Sequence, residues 1–194
     1  LIVTAEVGSL QQGGCGTGSI PVICLRPALI NLGRVLSFNK SNRDFMLSDK
    51  IKVFQNCAGI NFAKDGYLSP ALIAEYTDSE INVYSADFNS PDDKEKFADF
   101  IRYQIIEKQL VEYLFVAESW MSLYEKDGSF VKKIEAITMT HCSKFLPYET
   151  GYYSEIERFS EDTAILKEWV EFGKTYGSEG NFSNLFLKCS HEWN

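Results

Sequence analysis

Residues 110–125, "LVEYLFVAESWMSLYE", constrain this chain more than any other stretch. A period of two puts Val111, Tyr113, Phe115, Ala117, Ser119, Met121 and Leu123 on one side of a strand and Glu112, Leu114, Val116, Glu118, Trp120 and Ser122 on the other. The first side is the better core face. A loop around "EKDGS" leads into "KKIEAITMTHCSKF", which alternates in the same way and is expected to pair antiparallel with it. The fold therefore has to accommodate a long hairpin.

Local signals place the other elements. "LSDKIKVFQNCAGINFAKDG" predicts a helix over about residues 49–64, with Ser48 as N-cap, Asp49 in the first turn, Val53, Phe54, Cys57, Ala58 and Asn61 at helical spacing, and Gly66 just past the end. "ALIAEYTDSEINVYSADF" predicts two strands joined at Asp78 and Ser79, with Glu75, Thr77 and Asn82 on the outer face. In "SPDDKEKFADFIRYQIIEKQ", Ser90 is an N-cap, Pro91 the first helical residue, and Asp92 and Asp93 sit at the positive end of the dipole. Phe97, Phe100, Ile101, Gln104, Ile105 and Lys108 fall on one side of that helix. "TGYYSEIERFSED" reads as a further strand. "TAILKEWVEFGKTYG" fits strand and helix spacing alike, and the strand is preferred; "GNFSNLF" reads as a short closing helix. The expected class is α+β, a largely antiparallel sheet of about five to six strands with two main helices packed on one face.

Composition divides the chain near Met46. Residues 1–45 hold six of the 13 glycines, two of the 27 acidic residues and two aromatics, Phe38 and Phe45. Residues 46–194 carry 25 acidic against 15 basic residues and 25 of the aromatics, so only they have the content for a packed core. The reading is a single α+β domain over 46–194, preceded by a disordered leader or non-native extension over 1–45. The glycines of "GGCGTGS" lack the strand, the helix and the downstream acid of a dinucleotide site, and no Gly-Lys-Ser/Thr follows; they read as a flexible linker.

A net charge of -8 and a pI near 4.9 argue against general nucleic-acid binding, which needs clustered Lys and Arg. Five scattered cysteines form no CxxC pair, and an odd number cannot all pair within the chain, as expected of a cytoplasmic protein with reduced thiols. Pro21, Arg26, Pro27 and Arg34 interrupt the apolar run "SIPVICLRPALINLGRVL", so no membrane segment is expected.

Candidate chemistry is sparse. Glu118 beside Trp120, opposite a strand carrying Glu135 and His141, has the residue types of a general acid or base with an aromatic neighbour. Alternation alone explains the same residues as the polar face of a sheet, and that reading is preferred. His141 and His191 are the only histidines, and His141 and Cys142, adjacent on a strand, point to opposite faces. No metal site and no cofactor are expected. Trp120, Tyr124 and Tyr152 are candidate binding residues.

"LFVAESWMS", following an amphipathic helix and preceding "KIEAITMT", resembles uncharacterised prokaryotic or phage-type proteins that carry an F-V-(A/S)-E-(A/S)-W strand. "KDGYLSPALIAEY" is similar to the entry to their first strand. The resemblance covers about residues 47–187 and implies a compact α+β domain, with no catalytic residues to carry over. The resulting expectation is a small acidic cytoplasmic binding or regulatory protein of bacterial or phage origin, with a protein partner. The alternative is a hydrolase or nuclease-like enzyme using Glu118, Glu135 and His141, and it requires those side chains to converge.

Overall fold

The computed structural model describes residues 2–6, 47–86, 88–125, 127–160 and 163–175, together with Phe182, Leu185, Phe186 and Cys189. The glycine-rich stretch and most of the expected leader lie outside these residues. Ile2–Glu6 do not: they form strand β1. After a 3-10 turn at Leu47–Lys50 come helix α1 (Ile51–Asp65), strands β2 (Ala71–Tyr76) and β3 (Ile81–Ser85), and helix α2 (Pro91–Glu107). The chain continues through β4 (Leu110–Tyr124), β5 (Phe130–Ser143), β6 (Glu149–Arg158), β7 (Ala164–Leu166) and β8 (Val170–Thr175). No described helix is long and apolar enough to cross a membrane.

The sheet runs β3-β2-β4-β5-β6-β7, and every pairing in it is antiparallel. The long strands β4, β5 and β6 form its middle. Their outer edges are shared by shorter strands: β2 and β1 divide the free edge of β4, while β8 and β7 divide that of β6. This is the expected α+β class with an antiparallel sheet, and the described residues form eight strands in place of five to six. The region of ambiguous spacing is extended, as preferred, but Lys167–Trp169 split it into β7 and β8.

The helices do not share a face. Ile51, Phe54, Ala58 and Phe62 of α1 pack with Ile73, Leu114, Val116, Ile137 and Met139. Ile101 of α2, with Phe97 and Phe100 beside it, packs with Leu72, Ala74, Tyr113, Phe115 and Ala117. These two sets alternate along β2 and β4, so one helix covers each side and both faces are core. The expectation of one helical face fails because Leu114, Val116, Ile137 and Met139 make the second side apolar enough to bury. The same cover buries Glu75, which alternation had assigned to the outer face.

Helix α2 starts as its sequence dictates: Ser90 is extended and its hydroxyl accepts the Asp93 N–H, with Pro91 at the first position. Helix α1 starts differently. Leu47, fully buried, pulls the chain into the core through the 3-10 turn, so the α-helix begins at Ile51 after Lys50 and not after Ser48, and no side chain caps it. Its buried stripe is Ile51–Phe54–Ala58–Phe62, which leaves Val53 exposed. Gly66 ends it at φ 73°, donating its N–H to Phe62 O.

Because the sheet separates the two cores, Phe54→Ala and Ile101→Ala are each expected to destabilise the fold by about 3 kcal/mol. In urea denaturation the double variant should lose the sum of the two. Strong coupling between them would place the helices in one core.

Candidate functional site

Register decides which candidate side chains meet. Glu118 lies opposite Ile137 and Trp120 opposite Glu135, so Glu118 and Glu135 are diagonal neighbours on the α1 face. Arg158, at the end of β6, joins them. Its Nε and Nη2 donate to the two Glu135 carboxylate oxygens at 2.8 and 2.6 Å, while Nη2 stands 4.0 Å from Glu118 Oε2. The guanidinium also lies 5.9 Å from the Phe62 ring centre. Glu118 is only 9% exposed, and its Oε1 accepts the Leu68 N–H from the loop between α1 and β2. Burial pushes the Glu118 carboxyl up; the Leu68 N–H and Arg158 oppose this, and Glu135 adds to it. Arg158 is held charged, chiefly by Glu135. The group works as a clamp that fastens the 66–70 loop to the sheet.

His141 is elsewhere. It lies opposite Leu114, four residues along β5 from Ile137, or about 13 Å from the Glu118 position at the usual rise of a strand. Its Nε2 is 3.7 Å from Glu112 Oε2, and Glu112 pairs across the sheet with Glu75 and Ser143, all of them buried. Cys142 faces the other core, where its thiol donates to Glu149 Oε1 at 3.3 Å. Burial and the Glu149 charge both push that thiol up, which is the opposite of nucleophile activation. Among the described residues, no group of three His, Cys, Asp or Glu side chains is arranged to hold a metal.

The candidate binding aromatics also separate. Trp120 is 42% exposed, with Lys133 Nζ 5.6 Å from its ring centre. Tyr124 meets the exposed Phe130 edge to face at 5.8 Å. Tyr152, paired with Met139, packs half-buried on the α1 core.

A concave site lies where the β2–β3 turn meets the C-terminal end of α2. This cleft, of ≈ 550 Å³, has Tyr76, Tyr84 and Gln104 in its wall, with Asp78, Glu80, Glu107 and Lys108 around it. Tyr76 and Gln104 are buried, and Tyr76 Oη donates to Gln104 Oε1 at 2.7 Å. Tyr84 Oη lies 2.8 Å from Tyr76 Oη. Burial pushes the Tyr76 hydroxyl well above its ordinary value, so it stays protonated. Thr77 Oγ1 donates to Gln109 Oε1 at 3.0 Å and ties the hairpin to the second residue after α2. Ser79 and Gln109 both have positive φ, at 66° and 56°. The available sequence signal was Gln104, a polar residue in the apolar stripe of α2, which burial obliges to find a partner.

Comparison with models of known families, with curated proteins and with solved structures finds no match to this chain.

The raised Glu118 carboxyl has a testable sign. It binds its proton more tightly folded than unfolded, so its stabilising contribution is full below the ordinary 4.5 and is lost as pH rises through the higher folded value. Glu118→Gln, neutral throughout, should therefore gain stability relative to the parent chain as pH rises above the ordinary carboxyl value of 4.5. Parallel stability curves in urea would contradict the shift.

Proposed function

We propose that the chain is a binding protein and that it takes its ligand in the cleft beside Tyr76, Tyr84 and Gln104. The observation that carries this reading is the pre-formed wall: buried Gln104 holds Tyr76, Tyr76 holds Tyr84, and Thr77 ties the hairpin to Gln109. Groups fixed before the ligand arrives reduce the ordering cost of binding. The cleft volume also falls in the usual range for small-molecule sites.

The hydrolase alternative is disfavoured. Glu118 and Glu135 share Arg158, while His141 stands about 13 Å along the sheet, so acid, base and nucleophile have no common point of action. The scattered cysteines and acidic composition fit a cytoplasmic role, and the exposed Trp120 and Phe130, with half-buried Tyr124 between them, offer surface for a protein partner.

The test is an NMR screen of the 15N-labelled full chain against a mixed library of neutral, anionic and cationic fragments. Saturable shifts are expected at the amides of Thr77, Glu80, Tyr84, Lys108 and Gln109. Saturable shifts centred on Glu118, Glu135 and Arg158, or none in the cleft, would overturn the reading.

A further inference from the structure

The directions of the hydrogen bonds say more about the cleft than its shape does. Gln104 Oε1 can only accept, so the Tyr76 proton is committed to it. The 2.8 Å contact between the two hydroxyls then requires Tyr84 to donate to Tyr76 Oη. Its own proton used, Tyr84 Oη presents acceptor capacity to the cleft and no donor. A buried polar chain thus ends in a fixed acceptor, and its direction is set by Gln104.

The surroundings have the same polarity. Asp78, Glu80 and Glu107 border the cleft, with Lys108 the basic residue among its lining. Helix α2 ends there, so the negative end of its dipole adds to the field. The lining is polar apart from the tyrosine rings, which suits a hydrophilic guest.

We propose that the cleft binds a small organic cation whose N–H groups, on an ammonium or a guanidinium, donate to Tyr84 Oη and to the carboxylates of Glu80 and Glu107. This rests on the cleft being the binding site and adds the class of ligand. An anionic ligand would face three carboxylates and the helix terminus, and a neutral hydroxyl compound would leave those charges unanswered.

The test titrates the full-length 15N-labelled chain with butane-1,4-diamine, 4-aminobutylguanidine, butane-1,4-diol and butanedioate, with potassium chloride keeping ionic strength constant. Both cations should give saturable shifts at Glu80, Tyr84 and Gln109, and the diol and the dianion should give none. The stronger of the two cations distinguishes an ammonium site from a guanidinium site. Glu80→Gln with Glu107→Gln, both exposed positions, should weaken the cation roughly tenfold while the denaturation midpoint stays near that of the parent. If the diol or butanedioate saturates in the cleft and the cations do not, the ligand class is wrong while the cleft remains the site. If the cations fail to saturate by about 10 mM, or act no differently from potassium chloride, the cation inference falls. Silence in the fragment screen as well would remove the cleft reading with it.

Discussion

The pairing of β4 with β5 is the constraint on which the other contacts depend. It runs without a bulge from Glu112–Ser143 to Leu123–Lys132 and sets which side chains meet which helix. A slip by one residue would exchange Tyr113, Phe115 and Ala117 for Leu114, Val116 and Glu118 on each face. In a sheet with one wet face, such a slip is penalised by exposing the apolar set. Here both faces are covered, so apolar burial alone discriminates weakly, and the polar groups carry the difference. Ser119 Oγ reaches Thr138 Oγ1 at 2.9 Å on the α2 side, while Glu118 reaches the Leu68 N–H and Arg158 on the α1 side. In a slipped register these groups would be buried away from their partners, a far larger cost than moving a methyl group.

Glu118 gains a structural meaning from this. A carboxylate this buried is expensive, and its contacts offset only part of the expense, so burial still pushes its carboxyl up. What it secures is position: the loop after α1 hangs on it through the Leu68 N–H, and β2 begins directly after that loop. Glu135 and Arg158 complete the charge balance at the edge of the helix cover. The acid beside the tryptophan is therefore part of the architecture, and Trp120, one pleat further on, is where that cover ends and the face opens to solvent.

Features written into neighbouring residues were legible in the sequence. The Ser90–Pro91–Asp93 start of α2, the Gly66 end of α1 and the alternation of β4 and β5 each arise within one turn or one strand, so the residues suffice to find them. The side of the sheet on which a helix lies is not local. Leu114 and Val116 read as the lesser face until α1 is laid over them, and Glu75 looks solvated for the same reason. Glu118, Glu135 and His141 share a face, as alternation requires, but their separation depends on strand register. The 3-10 entry to α1 was hidden because the pull on Leu47 comes from the core and not from Ser48.

The cleft was hidden for a related reason, since it joins residues 76–84 to residues 104–109 across a hairpin and a helix end. Its chemistry nevertheless follows from folding. Gln104 occupies a core-facing position on α2, and an unbonded buried amide there would be costly. Tyr76 meets that need with the only proton it has, and Tyr84 must then turn its own proton inward. Satisfying a buried amide thus leaves an oriented acceptor at the protein surface, beside carboxylates and the negative end of α2. Replacing Gln104 by an apolar residue would free the Tyr76 proton and with it the direction of both hydroxyls. The direction of the two hydroxyls and the burial of Gln104 in the helix packing thus depend on the same hydrogen bond.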